Sequence, residues 1–222
     1  LRMVARQANA LRGLGLGTYI ESILGASHED ATVEFTPDGT VRLYVGTQSN
    51  GQGHETVYAQ FLADRTGLPF EAIRIVQGDS DRIAWGGGTG GSRSVTVQSV
   101  ATLAVVEQMT RAFCAFLADD LDAPGLTFDD GTFRAPGSNR TLTLAEAADL
   151  ARARGRADLL RHTARGKLPG RSYPNGAHLA EVEVDPDTGG TTVLRYTVTD
   201  DFGVLMHPTL AEGQVHGGVA QG

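Results

Sequence analysis

Glycine constrains this chain more than any other residue. Twenty-nine of its 222 positions are Gly, about 13% against a usual ~7%. Lacking a Cβ, glycine supplies left-handed backbone in turns and lets a second backbone or a ligand come close. The glycines gather in front of helical patterns. Ser49-Asn50-Gly51-Gln52-Gly53 precedes a helix expected from His54 to Thr66, with Val57, Phe61 and Leu62 on one stripe and Gly67, then Pro69, ending it. Gly86 to Ser94 precedes a second helix, expected from about Val95 to Asp120, with Leu103, Val106, Thr110, Phe113 and Leu117 at i+3 and i+4 spacing. A third Gly-rich stretch, Leu210 to Gly222, reads as a helix beginning near Ala211-Glu212-Gly213-Gln214. Helix starts carry unpaired N–H groups and partial positive charge, so glycine loops placed there suit an anionic, phosphate-bearing ligand.

The rest of the chain alternates strands and turns. Ala31–Phe35 and Val41–Gly46 flank Pro37-Asp38-Gly39-Thr40, a hairpin signal; Thr18–Leu24 and Ala72–Val76 are further strand candidates. Leu126 to Phe133 reads as a hairpin around Asp129-Asp130-Gly131, and Thr143 with Glu146 three residues on reads as a capping box opening a helix to about Arg154. Ala177–Val184 and Thr191–Thr199 form one more hairpin, with His178 expected as a partly buried structural residue and Tyr19 in ordinary strand packing. The fold class expected is α+β: mixed sheets with helices packed on them, in two lobes. The first lobe is 1–160, the second 177–222, and the basic, aperiodic segment 161–176 connects them.

Composition removes several classes of function. With 41% hydrophobic and 20% charged residues the chain is an ordinary globular one. Nineteen basic against 26 acidic side chains give a net charge of −7, with Lys and Arg scattered singly, which argues against nucleic acid. The lone Cys114 has no internal disulfide partner and fits a reducing, cytoplasmic setting. The longest apolar run, Val95 to Val106, is broken by polar residues and falls short of a membrane span. The chain starts at Leu and stops in a Gly-rich stretch, so a fragment of a longer polypeptide is expected, self-associating through apolar surface that its missing parts would cover.

Common nucleotide and hydrolase motifs fare poorly. Gly86, Gly88 and Gly91 satisfy G-x-G-x-x-G, but chance supplies that spacing in so glycine-rich a chain. A Rossmann dinucleotide domain would need the motif directly after the first strand of a doubly wound parallel sheet. P-loop and G-x-S-x-G signatures are missing. The six histidines, at 28, 54, 162, 178, 207 and 216, form no metal-ligand spacing, and His28-Glu29-Asp30 reads as a solvated turn. No protein side chain is therefore expected to bind a metal directly.

Read together, the loops carry a resemblance. Ser49-Asn50-Gly51-Gln52-Gly53-His54-Glu55-Thr56, Gly88-Thr89-Gly90-Gly91-Ser92-Arg93-Ser94, Asp200-Asp201-Phe202-Gly203, His207-Pro208 and Glu212-Gly213-Gln214-Val215-His216-Gly217-Gly218 occur in that order. The chain resembles the molybdopterin-binding large subunit of the molybdenum hydroxylases, the xanthine dehydrogenase and aldehyde oxidase family. Its wording is most like the carbon monoxide dehydrogenase large-subunit branch.

That resemblance implies molybdopterin cytosine dinucleotide with molybdenum as the cofactor. By motif position Gln52, Gly53 and His54 would contact pterin and phosphates. Thr89, Gly90, Gly91, Ser92, Arg93 and Ser94 would line the pterin and dithiolene. Gln214, His216 and Gly217 would close the other side. For Gln52 and Gln214 a plainer role as loop-stabilising amides stands beside this one. Arg93 is open between a phosphate and a pairing with Asp79 or Asp81. The family's reaction is hydroxylation with water as oxygen source, on carbon monoxide, an aldehyde or an N-heterocycle. Its electrons leave through [2Fe–2S] clusters of an iron–sulfur small subunit to FAD on a medium subunit, in a dimer of heterotrimers. The family's catalytic glutamate would lie beyond Gly222, and Phe202 and His207 depart from common family residues. A non-catalytic interaction module on the same scaffold is the alternative from a different class.

Overall fold

The computed structural model describes residues 10–222. In chain order its elements are β1 (Leu11–Ile20), β2 (His28–Phe35), β3 (Val41–Val45), α1 (His54–Thr66), β4 (Ile73–Val76), α2 (Ser94–Asp120), β5 (Thr127–Asp129), β6 (Thr132–Arg134), β7 (Thr141–Thr143), α3 (Leu144–Ala153), β8 (Arg161–Lys167), β9 (Asn175–Val184), β10 (Thr191–Asp201) and α4 (Pro208–Gln221). This is the α+β mixture of small sheets and helices expected. The only parallel neighbours among the described strands are β3 and β4, so the doubly wound Rossmann reading fails.

The chain divides into two compact units: residues up to Ile23 with Ser172–Leu205, and Leu24–Arg171 with Met206–Gly222. These bounds differ from breaks at 160 and 176, because pairing ignores sequence order. Residues 161–167, expected as part of a connection, form strand β8 and pair antiparallel with β2 from Arg161 opposite Glu34 to Lys167 opposite His28. The strand is disguised by charge: Arg161, Thr163 and Arg165 alternate with the inward His162, Ala164 and Gly166.

In the larger unit the sheet order is β4-β3-β2-β8. The hairpin signal at Pro37 to Thr40 holds: β2 and β3 pair with Phe35 opposite Val41, and Gly39 takes φ +82°. The Asp38 carboxylate accepts hydrogen bonds from Thr36 Oγ1 (2.5 Å), the Thr40 N–H (3.0 Å) and Thr40 Oγ1 (2.8 Å). These hold its pKa down at about 2. Helix α2 packs on β2 and β8. Its buried face runs through Val97, Ala101, Val105, Met109, Phe113 and Leu117, whereas Leu103, expected on that face, is 42% exposed. The rotation follows from close approach: a Cβ on Gly166 of β8 would lie 2.4 Å from the Ala101 nitrogen, so the small residue faces the sheet. By length and composition alone α2 would pass as a membrane span, and its burial against this sheet accounts for the apolar content. The capping box forms at the start of α3, with Thr143 Oγ1 accepting from the Glu146 N–H and Glu146 accepting from the Thr143 N–H.

The smaller unit is one antiparallel sheet, order β1-β9-β10. Strand β1 is longer and earlier than the Thr18–Leu24 segment expected; it pairs from Leu11 opposite Val184 to Ile20 opposite Asn175. Glycines at 13, 15 and 17 conceal its alternation. Leu14, Leu16 and Ile20 are 64%, 72% and 73% exposed, the kind of apolar face that self-association would cover. Tyr19 does more than pack: its hydroxyl donates to Asp200 (2.9 Å), and burial together with that carboxylate pushes its pKa up to about 12. His178 joins the same network through Tyr196 (3.1 Å) and Asp200 (3.3 Å), a structural role as expected.

Candidate functional site

The first glycine loop is built outward from a buried polar post. Thr47, fully buried, donates through Oγ1 to Gln98 Oε1 of α2 (3.0 Å) and therefore accepts from the Tyr58 hydroxyl of α1 (2.8 Å). The His54 ring is buried against Tyr58, and its Nδ1 lies 3.0 Å from the Thr47 carbonyl oxygen. A carbonyl can only accept, so Nδ1 carries the proton; burial pulls the ring's pKa below its ordinary 6.5 and keeps it neutral. The His54 side chain thus faces inward, and only its backbone N–H remains for a ligand. Gln52 Oε1 accepts from the Asn50 N–H (2.5 Å), and Ser49 Oγ accepts from the Gly51 N–H (3.2 Å). The plainer, loop-stabilising role of Gln52 is present.

The second loop is bolted beside the first. Gly46 and Gly86 approach so closely that a Cβ on Gly46 would lie 2.4 Å from Gly86 Cα. Thr89 Oγ1 donates to the Gln48 carbonyl (2.5 Å), and Ser94 Oγ bonds Thr89 Oγ1 (3.2 Å). The bolt is Arg93. Its side chain is 2% exposed and meets the fully buried Glu29 carboxylate at 3.0 Å. It also donates to the carbonyls of Ala26 (2.9 Å), Gly88 (2.5 Å) and His28 (2.9 Å). Glu29 in turn accepts the Gly87 N–H through both oxygens, at 3.1 and 3.0 Å. Two sequence expectations are corrected here. Arg93 pairs with neither Asp79 nor Asp81; its guanidinium is a strut of the loop, held by Glu29 and three carbonyls. His28-Glu29-Asp30 is no solvated turn but the start of β2, with Glu29 inward. The signal was legible: Glu29 is in phase with Ala31, Val33 and Phe35 in a strict two-residue period.

The two loops deliver two helix starts without side-chain caps. Helix α1 begins at Gly53, whose φ is +81°, and α2 begins at Arg93; neither N-cap side chain bonds its helix. The first N–H groups of both therefore keep their hydrogen-bonding capacity and positive potential. Helix α4 differs. It starts at Pro208, earlier than expected, and the His207 ring caps it by accepting from the Leu210 N–H (3.3 Å). Gln214, His216 and Gly217 therefore lie inside the helix, exposed, with His216 3.6 Å from Glu212 on the same helix. What the structure brings to the two loops is the first turn of α4: a Cβ on Gly53 would lie 2.8 Å from Leu210 Cδ1, and Met206 meets Gln60 and Ser99 of the helices.

Packing explains some loop glycines and leaves others bare. Gly46, Gly53, Gly86, Gly87 and Gly91 each have a heavy atom within 3 Å of where a Cβ would stand, whereas Gly51, Gly88 and Gly90 have none within 4 Å. Gly90 also has an ordinary φ, so neither conformation nor packing asks for glycine there. A backbone kept bare beside two uncapped helix starts fits an anionic ligand approaching the main chain. No group of three or more His, Cys, Asp or Glu that could hold a metal occurs among the described residues.

Comparison with known proteins agrees. Residues 2–222 match the family model described as molybdopterin cofactor-binding domain. The chain is 32% identical over 233 residues to the carbon monoxide dehydrogenase large chain of Afipia carboxidovorans, covering 97% of this chain and 29% of that one. It is also 32% identical over 241 residues to the nicotine 6-hydroxylase large subunit of Paenarthrobacter nicotinovorans, covering 98% and 29%. The crystal structure of a Cu,Mo-CO dehydrogenase superposes with a TM-score of 0.84 at 29% identity, covering 98% of this chain and 30% of that chain. Quinoline 2-oxidoreductase from Pseudomonas putida 86 gives 0.80 at 29%, covering 99% and 30%. The chain thus spans about 30% of the length of these relatives, with its two loops and both units inside the matched region, and it belongs to the molybdopterin cofactor-binding domain family.

Proposed function

We propose that this chain is the part of a molybdenum hydroxylase large subunit that cradles the dinucleotide form of the cofactor through its backbone. The supporting observation is the pairing of uncapped starts at α1 and α2 with Gly90, where neither packing nor backbone conformation requires glycine. The N–H groups of Gly53, His54 and Glu55 would meet one anionic group. Those of Ser94 and Val95 would meet another, each helix start contributing roughly 0.3–1 kcal/mol, more where water is excluded. Gly90 and Gly91 would let the pterin lie flat on the second loop. Gln214, His216 and Gly217, on the exposed side of α4, would close over it. When bound, the cofactor supplies a molybdenum centre able to oxidise a small substrate with water as oxygen source. This chain binds and orients it and holds water away from its edge.

The cytosine dinucleotide form, the substrate and the partners are carried by likeness. Carbon monoxide dehydrogenase and nicotine 6-hydroxylase are the relatives' names, and the corresponding assignment here is an oxidoreductase acting on carbon monoxide, an aldehyde or an N-heterocycle. Iron–sulfur and FAD subunits would accept its electrons, and a glutamate outside residues 1–222 would serve as base. The test is cofactor content of the full-length protein. Acid release should yield one cytidine monophosphate per molybdenum in the native protein, and Gly90→Val should lose both together. Molybdenum without any nucleotide would overturn the dinucleotide form, and an unchanged content in Gly90→Val would overturn the cradle.

A further inference from the structure

A second polar site lies on the outer face of the larger unit's sheet, away from the glycine loops' helix starts. A cleft of about 130 Å³ is lined by Asp30, Thr32, Tyr44, Arg82, Trp85, Arg161 and Thr163, among others, against roughly 10–15 Å³ needed to admit one water. Its arginines lie over aromatic rings. The guanidinium carbons of Arg82 and Arg161 sit 5.2 and 4.8 Å from the Tyr44 ring centroid, and that of Arg165 sits 4.9 Å from the Trp85 centroid. Such stacking fixes the fork of donors before any ligand arrives.

The charges there are unevenly spent. Arg165 forms a bidentate pair with Asp30, at 2.6 and 2.9 Å. Glu34 takes the Tyr44 hydroxyl and lies 3.2 Å from Arg161 Nη1. Arg82 donates to Tyr44 Oη (3.0 Å), and its carboxylate neighbour, Asp79, stands 4.0 Å away, beyond hydrogen-bond reach. Among the described residues, Arg82 Nη1 and Arg161 Nη2 have no acceptor. Thr32 and Thr163 share one hydrogen bond (2.7 Å), so one of the two hydroxyls keeps a proton to donate. We propose that this cleft binds a small oxyanion, a phosphoryl or carboxylate group held between Arg82 and Arg161 with a threonine hydroxyl beneath it.

Trp85 is the single tryptophan in the chain and lines the cleft, so its fluorescence reports occupancy directly. Titration of the chain with inorganic phosphate, and separately with acetate, at constant ionic strength held by chloride should give a saturable change. Tighter phosphate binding identifies a phosphoryl ligand, and equal or tighter acetate binding a carboxylate. Arg82→Gln, at a half-exposed position, should weaken the anion at least tenfold. Arg82→Lys, which keeps charge and loses the fork, should fall between, and Thr163→Val should cost a few-fold. Gly90→Val, in the cofactor cradle, should leave the response unchanged. The proposal is overturned by a linear response equal to that in chloride, or by a saturable one that survives Arg82→Gln combined with Arg161→Gln in a chain whose circular dichroism is native.

Discussion

The four α-helices among the described residues begin in two different ways. Helices α3 and α4 satisfy their own first turns, one with the Thr143–Glu146 capping box and one with the His207 ring. Helices α1 and α2 begin from glycine loops with no side-chain cap at all. A missing side-chain cap costs from a few tenths of a kcal/mol, where glycine stands at the N-cap as Gly53 does, to about 1 kcal/mol, so two of them, joined by the Gln48–Thr89 and Gly46–Gly86 contacts, ask for a reason that stability does not supply. The contrast separates helix starts closed by their own side chains from those left uncapped.

The largest effect should come from the strut that holds the open starts in place. Glu29→Ala leaves the buried Arg93 guanidinium uncompensated and should destabilise the protein by about 3–5 kcal/mol, read as a fall in the denaturant midpoint. A loss under 1 kcal/mol would show that the loop does not depend on it. Gly53→Ala comes next. A left-handed alanine costs roughly 1–2 kcal/mol, and its Cβ would press on Leu210. If the open starts exist for the ligand, this variant should also loosen cofactor retention.

Thr143→Ala removes a true cap and should cost about 1 kcal/mol with no effect on cofactor content. An equal cofactor loss there would break the comparison. The pH dependence is smaller. His54 and His162 are both held below 6.5 by burial, so the native state resists protonation that the unfolded chain accepts. Their stabilising contribution is complete above pH 6.5 and is lost as pH falls below it, so the melting temperature should drop between pH 7.5 and 5.5. A His54→Gln variant should flatten that slope, and an unchanged slope would place the histidine outside it. Gly90→Ala should be the gentlest of all, within about 0.5 kcal/mol in stability, while lowering cofactor content.

Local signals carried far in this chain. The bounds of α1, the Gly39 turn and the Thr143 cap could be written from the sequence because each depends on neighbours within a few residues. Partners distant in sequence were harder. Arg93 was open between a phosphate and nearby aspartates, yet it joins Glu29, 64 positions before it, through a strand whose period of two was readable. Strand β8 was hidden by its charged outer face, and the face of α2 was decided by Gly166, which no periodicity within the helix could reveal. The third motif was placed at a helix start, but Pro208 and the His207 cap move that start upstream and leave Gln214 and Gly217 in the helix interior.

The most direct test is an amide chemical-shift titration with pyrophosphate, recorded on the Arg82→Gln chain so that the outer cleft is silent. The account predicts saturable shifts concentrated on the N–H groups of Gly53, His54, Glu55, Ser94 and Val95, with the starts of α3 and α4 unmoved. Shifts of equal size at Ala145, Glu146 and Leu210, or none at the two glycine loops, would contradict it.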